Sequence, residues 1–469
     1  MGLDENSQHV VTAARQRGVS PKEWVDLMDD AFRLAWRRLN VTNDVWVRTT
    51  TAAHARASQT LFQLAYDRGD IYRGTYSGWY CPNCNNYYTD EELVDGRCPE
   101  HPSLKPEWRE EENYFFALSR YTEPLRQLVE DDPGFIQPAT WRGEVLAAVR
   151  QGLRDFSVSR TVRGEPWGIP VPVDPSQAIY VWFDALTNYA TGVGFPDEPD
   201  AFARYWPADV HVVGKNITRF HCLYWPAMLI SAGLPVPRQV AVHGFLTLEG
   251  QRISKTTGNV VDPVDLVDEF GADPVRYYFL REVGFAQDGD FSRAKFVHRH
   301  NADLANDLGN LLSRTTAMAA RYLGGDVPEP GGADARDFDL RRTAEAVGPS
   351  AEAALAEWDL PGALDAVWSL IRRANVYVEE NEPWRLAKAG DRGRLAVVLG
   401  NLAESLRVAA IHLWPFIPDA ADRIMAQLGR PPVGPGDLGR AIWGALPGGS
   451  HLVGGPALFP RIQSQEDRR

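Results

Sequence analysis

Apolar residues recur every three to four positions after Ser20, at Trp24, Leu27, Met28, Ala31 and Ala35, a spacing that gives a helix one apolar face. Ser20-Pro21-Lys22-Glu23 forms a capping box with proline at the first helical position, so the helix is predicted to start there. Val45-Trp46-Val47-Arg48 alternates as a short strand does, and Ala52 to Tyr66 returns to the helical period before Arg68-Gly69-Asp70. Helix, strand, helix predicts the opening of an α/β domain. No buried strand precedes the series, although a doubly wound domain ordinarily begins with one, whose carboxyl end meets the nucleotide.

A second α/β region is predicted from Leu153. Gly168 to Pro172 reads as extended, Ala178-Ile179-Tyr180-Val181-Trp182 as a buried strand, and Val210 to Val213 and Val240 to Val242 as parallel strands. Ile217, His221 and Trp225 are spaced i, i+4, i+8 and share one predicted helix face, which suits either core packing or the wall of a pocket. After Gly289-Asp290-Phe291-Ser292 the period is helical: Asn301 to Tyr322, Asp337 to Trp358, Leu360 to Glu380 and Arg392 to Leu413 predict a bundle, with Pro361, Pro383 and Pro415 at ends or connections.

Composition narrows the class. With 469 residues, 44% hydrophobic and 24% charged, the chain has the make-up of a globular protein of two to four domains. A formal charge of −13 means that any nucleic-acid contact must come from a local face rather than from overall basicity. No apolar run approaches the length of a bilayer span, and Met1-Gly2-Leu3-Asp4-Glu5 has no signal-peptide character, so a cytoplasmic protein without membrane contact is expected.

Two stretches carry candidate chemistry. Cys81-Pro82-Asn83-Cys84 is followed after thirteen residues by Cys98-Pro99-Glu100-His101. Two such knuckles can offer three thiolates and an imidazole to a structural Zn²⁺, with no open position for catalysis; the alternative is free thiols. Cys222, alone in an apolar helix, reads as core. Gln251-Arg252-Ile253-Ser254-Lys255-Thr256-Thr257-Gly258-Asn259 places two cations, hydroxyls and a glycine in a loop, either an ordinary solvated one or one that closes on a polyphosphate.

These motifs, in this order, resemble the class I aminoacyl-tRNA synthetases, and within them the methionyl-tRNA synthetases, over nearly the whole chain. Gly2-Leu3-Asp4-Glu5-Asn6 is similar to the family's Gly-Thr-Asp-Glu-His segment, and Trp79 to His101 to its zinc knuckle. Tyr180 to Tyr189 and Gly214-Lys215-Asn216-Ile217 to Trp225 are similar to its two methionine-pocket segments, and Arg252-Ile253-Ser254-Lys255-Thr256 to its Lys-Met-Ser-Lys-Ser loop. The resemblance implies a methionine site made by Asp4, Arg160, Trp182, Ala185, Tyr189, Ile217, His221 and Trp225, with Asp4 holding the ammonium near Arg160. It implies ATP, with its Mg²⁺, on Arg252, Ser254, Lys255, Thr256, His243 and Gly244, with Lys255 and Arg252 catalytic. Cys81, Cys84, Cys98 and His101 would hold the zinc, and Asn310, Arg314 and Trp384 would read the anticodon of tRNA(Met).

The implied fold is a doubly wound, Rossmann-like parallel sheet, amino-terminally incomplete, with a zinc-knuckle insertion and a carboxyl-terminal helical bundle. Residues 1–70 and 153–245 would be the two parts of the catalytic domain, 71–152 the insertion, 246–296 the lysine loop and stem-contact region, 297–455 the anticodon-binding domain and 456–469 a tail. The sequence departs from the family pattern in three places. The first strand and its His-Ile-Gly-His signature do not occur in it, Arg252 stands for the first lysine of the loop, and Asn216 stands where aspartate is more usual. A shortened methionine–tRNA ligase is therefore expected, with weak or no methionine-dependent pyrophosphate exchange; the alternative is a non-catalytic relative that binds tRNA or methionine. A monomer is expected.

Overall fold

The computed structural model describes residues 1–82, 86–99, 101–162, 166–252 and 261–463. It divides into two compact units, one of residues 1–37 and 41–243, the other of residues 38–40 and 244–469.

In the first unit the predicted helix forms as Pro21–Arg38, and the next as Ala52–Asp67, capped by the Thr51 side chain accepting from the His54 backbone N–H. The short strand Val47–Arg48 pairs in parallel with Gly2–Leu3, and the two backbones run so close that a Cβ on Gly2 would meet the Val47 carbonyl oxygen at 2.2 Å. Only glycine fits there.

The described strands do not make up a clear doubly wound parallel sheet. Among the described residues of this unit, parallel pairing is confined to that two-stranded ladder and to a three-stranded sheet in the order His211–Gly214, Val240–His243, Ile136–Gln137. The other described strands of this unit pair antiparallel, the largest ladder joining Ile71–Cys81 to Glu107–Phe116 in register from Ile71↔Phe116 to Tyr80↔Glu107. A parallel neighbour requires a crossover connection, whereas strands joined by turns fold back on one another. The long hairpin is of the second kind. Its inner end, Asn113 to Phe116, is buried, and Glu107, Trp108 and Glu110 nearer its outer end are exposed. Ile136–Gln137 falls within the stretch expected to be an insertion, yet it hydrogen-bonds to the central parallel strand.

Two sequence-based assignments change near the cavity described below. The strand expected over Ala178 to Trp182 is Asp174–Ile179, and Val181–Thr191 is a helix. Tyr180 stays extended as its cap, and Asp184 lies in its first turn, where a negative charge favours the helix dipole. The single helix expected through Ile217 to Trp225 is a 3₁₀ turn over Lys215–Ile217, a π turn over Phe220–Tyr224 and an α-helix over Trp225–Ala232.

The second unit begins with a small sheet in which Leu246–Leu248 pairs antiparallel with Gln251–Arg252 and parallel with Gly289–Phe291. The predicted bundle follows, with Ala335–Ala356, Leu360–Asn381 and Arg392–Leu413 as its long helices. Pro383 and Pro418 begin short helices of their own, Pro383–Ala389 and Pro418–Gln427, consistent with proline's preference for a first helical turn. Arg392–Leu413 is apolar and long enough to cross a membrane by length and composition alone, which the run-length reading did not bring out; it is the buried centre of the bundle. Its buried pair Glu404–Arg407 is satisfied there, Arg407 donating to the Arg440 and Ile442 carbonyls and Glu404 accepting from Gly444 and Ala445.

Candidate active site

A cavity of about 470 Å³ opens in the first unit among the amino-terminal strand, the strand around Val47, the helix Val181–Thr191 and the turn through Ile217 and His221. Its walls bring together Asp4, Trp182, Ala185, Tyr189, Ile217 and His221, six residues drawn from three separate stretches of sequence. Gly2, Leu3, Val45, Val47, Leu186 and Val212 are among its further apolar lining residues.

The π turn explains why Trp225 is not with them. In a regular α-helix Ile217, His221 and Trp225 would share a face, but a wider turn between them rotates the register. Ile217 and His221 reach the cavity while Trp225 is fully buried and donates its indole N–H to His211 Nε2 at 3.2 Å. Tyr189 connects the two layers, its ring 4.1 Å from that of His211 and its hydroxyl 2.8 Å from His221 Nε2. His221 Nδ1 faces the Ile217 carbonyl at 3.0 Å. A carbonyl only accepts, so Nδ1 carries the proton, Nε2 is the acceptor, and Tyr189 donates to it. Burial pulls His221 down to about 4, and burial with the neighbouring His221 pulls His211 down to about 3, so both imidazoles are neutral near pH 7. Trp182 stacks on Phe220 at 4.0 Å, which fixes its plane at the rim.

Asp4 also lines the cavity. Its residue surface is exposed, yet the protein atoms packed around the carboxyl, and after them the Asp184 carboxylate, push it up to about 7. The segment that carries it is held on both sides. Glu5 accepts from Arg48 at 2.7 Å and from the Thr50 hydroxyl, and its backbone N–H donates to Thr49 Oγ1. Asn6 donates to the Thr49 carbonyl at 3.0 Å and to Asp184 at 2.8 Å, and Trp167 donates to the Glu5 carbonyl. Asp184 and His54, both fully buried, meet at 2.5 Å, with Ser58 and Thr191 completing the imidazole's contacts.

Sequence reading missed His54 and Asp184. The available signal was positional: His54 shares a helix face with Ala57, Ser58, Leu61, Phe62 and Ala65, all buried, and Asp184 stands alone among apolar residues.

A family model of class I tRNA synthetases of the methionine type matches residues 1–104 and 100–316, and one for the anticodon-binding domain of methionyl-tRNA ligases matches residues 327–469. The chain belongs to the methionyl-tRNA synthetase family. The methionine–tRNA ligase of Caldanaerobacter subterraneus subsp. tengcongensis is 45% identical over 99% of this chain and 73% of its own length, and that of Brucella melitensis 42% identical over 100% and 90%. The crystal structure of Mycobacterium tuberculosis methionyl-tRNA synthetase bound by methionyl-adenylate superposes with a TM-score of 0.92 at 40% identity, covering 98% of this chain and 91% of that one. The fold is thus that of a class I synthetase, with an α/β core and a carboxyl-terminal helical domain. The comparisons give the expectation of a shortened chain no support.

The remaining residues expected in a synthetase site fall as follows. Arg160 does not line the cavity; it donates to Ser157 Oγ and the Ser159 carbonyl, lies over the Tyr180 ring at 4.1 Å, and borders a separate cleft with Tyr80, Tyr87 and Arg109. His243 ends the central parallel strand. Gly244 lies where a Cβ would strike the Gln287 carbonyl oxygen at 2.1 Å, so close packing already accounts for a glycine there. Ser254, Lys255 and Thr256, and the side chain of Arg252, lie outside the described residues; the chain enters that stretch from the strand Gln251–Arg252 and leaves it towards the helix Pro263–Phe270, capped by Asp262.

Cys81, Cys98 and His101 converge, with the two sulfurs 3.9 and 3.7 Å from His101 Nδ1 and all three ligand atoms within 4.8 Å of one another. A tetrahedral zinc, with Zn–S about 2.3 Å and Zn–N about 2.0 Å, would separate sulfur and nitrogen by about 3.5 Å, so the donor set fits the ion. Cys84 lies outside the described residues. In the helical unit, Asn310 and Arg314 are one turn apart on Asn310–Leu323, and the Arg314 guanidinium lies 5.9 Å from the centre of the Trp384 ring while bonding Glu379 at 2.7 Å. Trp384 is 38% exposed, so part of its ring is open to solvent beside Arg314.

Proposed function

We infer that the chain is a methionine–tRNA ligase, which activates methionine with ATP to methionyl-adenylate and transfers the methionyl group to tRNA. The observation that carries this is the single cavity that unites Asp4 with Trp182, Ala185, Tyr189, Ile217 and His221, in a chain of this family. An unbranched thioether fits a wall of aromatic rings, and a carboxylate in the same lining fits the amino group at the other end of the same substrate. Neutral His221 and the Tyr189 hydroxyl add polar groups without adding charge, which suits an uncharged side chain.

In the first step a carboxylate oxygen of methionine attacks the α-phosphorus of ATP, and the bond to the bridging oxygen breaks as pyrophosphate leaves. In the second, the terminal ribose hydroxyl of the tRNA attacks the activated carbonyl and AMP leaves. Charge grows on the leaving pyrophosphate in the first step, so Lys255 and Arg252 are assigned to it, with ATP entering as its Mg²⁺ complex; Ser254, Thr256, His243 and Gly244 are assigned to the rest of the nucleotide. Removal of one such donor costs on the order of 10²–10³ in rate. A zinc held by Cys81, Cys84, Cys98 and His101 would be structural, replacing an apolar core that is small around the knuckle. Trp384, with Asn310 and Arg314, is assigned to the anticodon by the stacking surface it exposes.

Exchange of labelled pyrophosphate into ATP tests the reading. Exchange that requires methionine and is lost in Lys255→Ala supports it. Methionine binding without any exchange would favour a non-catalytic relative.

A further inference from the structure

The turn that joins Ala335–Ala356 to Leu360–Asn381 carries a strained residue. Trp358 has φ +60°, the left-handed region, where a side chain crowds its own backbone. Its backbone N–H donates to the Leu355 carbonyl at 3.1 Å, and that of Asp359 to the Ala354 carbonyl at 2.9 Å. Many helices end in this pattern, with glycine at the position that Trp358 holds here. The short connection requires the conformation, because Asp359 at once caps the next helix by accepting from the Gly362 N–H. It does not require an indole. What the indole adds is a stack on Phe285, with ring centres 4.8 Å apart and planes inclined at 26°.

Phe285 stands in a turn over residues 284–287, closed by the Gln287 N–H on the Gly284 carbonyl at 3.1 Å. The small sheet begins on this turn. The Phe285 carbonyl accepts from the Gly244 N–H at 3.0 Å, the Asp288 carboxylate accepts from the Phe245 N–H at 2.8 Å, and the Phe245 carbonyl accepts from the Gly289 N–H at 2.8 Å. Gly244 is pressed on the Gln287 carbonyl too closely for any Cβ, so the turn and Gly244 must move together. Next along the chain comes Leu246–Leu248, paired with Gln251–Arg252, the strand that precedes Ser254 and Lys255. Arg281 fastens the same part of the bundle, donating to the Pro361 carbonyl at 2.8 Å and to Asp365 at 2.7 Å from the helix Ala272–Glu282. We propose that Trp358 is a positioning residue for the lysine loop: its ring braces Phe285, and through the bonds to Gly244 and Phe245 it fixes the sheet that leads into Lys255. The inference rests on the assignment of Arg252 and Lys255 to ATP. The strained backbone at Trp358 is what it takes to present a flat ring where glycine would make the easier turn.

Trp358→Gly separates the brace from the turn, because it removes the ring while it relieves the backbone. Two measurements on the full chain read the result. Hydrogen exchange without ligand, followed by mass spectrometry, is expected to rise about tenfold over residues 244–251, the scale of one lost aromatic pair, and to stay at the parent rate in Arg392–Leu413. Methionine-dependent exchange of pyrophosphate into ATP is expected to lose about tenfold in kcat with KM for methionine unchanged, because the loop is displaced and the cavity is not. Trp358→Phe keeps a ring over Phe285 and is expected to restore both readings. Phe285→Leu is expected to reproduce the loss, and Trp358→Gly/Phe285→Leu to add nothing to it. Should Trp358→Gly fail to fold, Phe285→Leu carries the same two readings. Unchanged hydrogen exchange over residues 244–251, an equal rise in Arg392–Leu413, or full pyrophosphate exchange beside a loosened sheet would each overturn the proposal. A parent chain that exchanges no pyrophosphate would instead refute the assignment of the loop to ATP, and hydrogen exchange would still decide the brace.

Discussion

Tyr189 gives its hydroxyl proton to His221 across 2.8 Å, and the opposite nitrogen of the same imidazole is committed to the Ile217 carbonyl. The pair is thereby locked as a neutral hydrogen-bond chain in the wall of the cavity. Tyr189→Phe leaves a buried imidazole nitrogen without its donor, and the expected cost is about 1–3 kcal/mol of stability. Urea denaturation of the two proteins at pH 7 measures it.

The same wall predicts a pH dependence. His221 and His211 are held at about 4 and about 3, below the 6.5 of a free imidazole. As pH falls through 6.5 the unfolded chain takes up protons that the folded chain refuses, so stability is lost from pH 6.5 down to about 4, and further to about 3 through His211. The denaturation midpoint is expected to drop between pH 7 and pH 5, and by less in His211→Asn, which removes one of the two groups.

The knuckle predicts a bound metal. The protein purified without chelator is expected to contain one zinc per chain by elemental analysis, and Cys98→Ser or His101→Ala to lose it. Because a closed four-ligand site leaves no position for substrate, removal should unfold the hairpin tip without changing methionine affinity in the cavity. Far-UV circular dichroism and methionine titration of the stripped protein separate the two effects.

Trp384 presents its ring at the surface beside Arg314, so truncation should spare the fold and weaken RNA. Trp384→Ala is expected to lower tRNA affinity by about 1–3 kcal/mol, the range for one stacked base, and to leave thermal stability nearly unchanged. Filter binding with tRNA(Met) and a thermal melt check both halves.

How far the sequence disclosed this structure depended on the range of the forces involved. Caps and apolar periods are local, and the helices beginning after Ser20, Thr51 and Asp391 form where they were expected. Sheet topology is not local. Nothing near Ile136 announces that it pairs with Val240 rather than with the hairpin strands, because that choice is made by residues a hundred positions away. The cavity shows both cases. Asp4, Trp182, Ala185, Tyr189, Ile217 and His221 were read from motifs and converge, whereas Trp225 was displaced by a π turn that the i, i+4 rule does not anticipate. Arg160 was paired with Asp4 on motif grounds, but the ring of Tyr180 and the Ser157 hydroxyl hold its guanidinium elsewhere. His54 and Asp184 looked like two unrelated polar residues in apolar helices, and only their meeting at 2.5 Å gives them a role.

The account rests on the cavity as the place where methionine is held by its amino group. The most direct measurement is a tryptophan-fluorescence titration at pH 8, where Asp4 is ionised, with L-methionine and with 4-(methylthio)butanoic acid, which has the same side chain and carboxylate but no ammonium. Saturable binding of methionine, much weaker binding of the analogue, and loss of that difference in Asp4→Asn are the predicted results. Equal binding of both ligands by the parent chain, or a preference for methionine that survives Asp4→Asn, would contradict it.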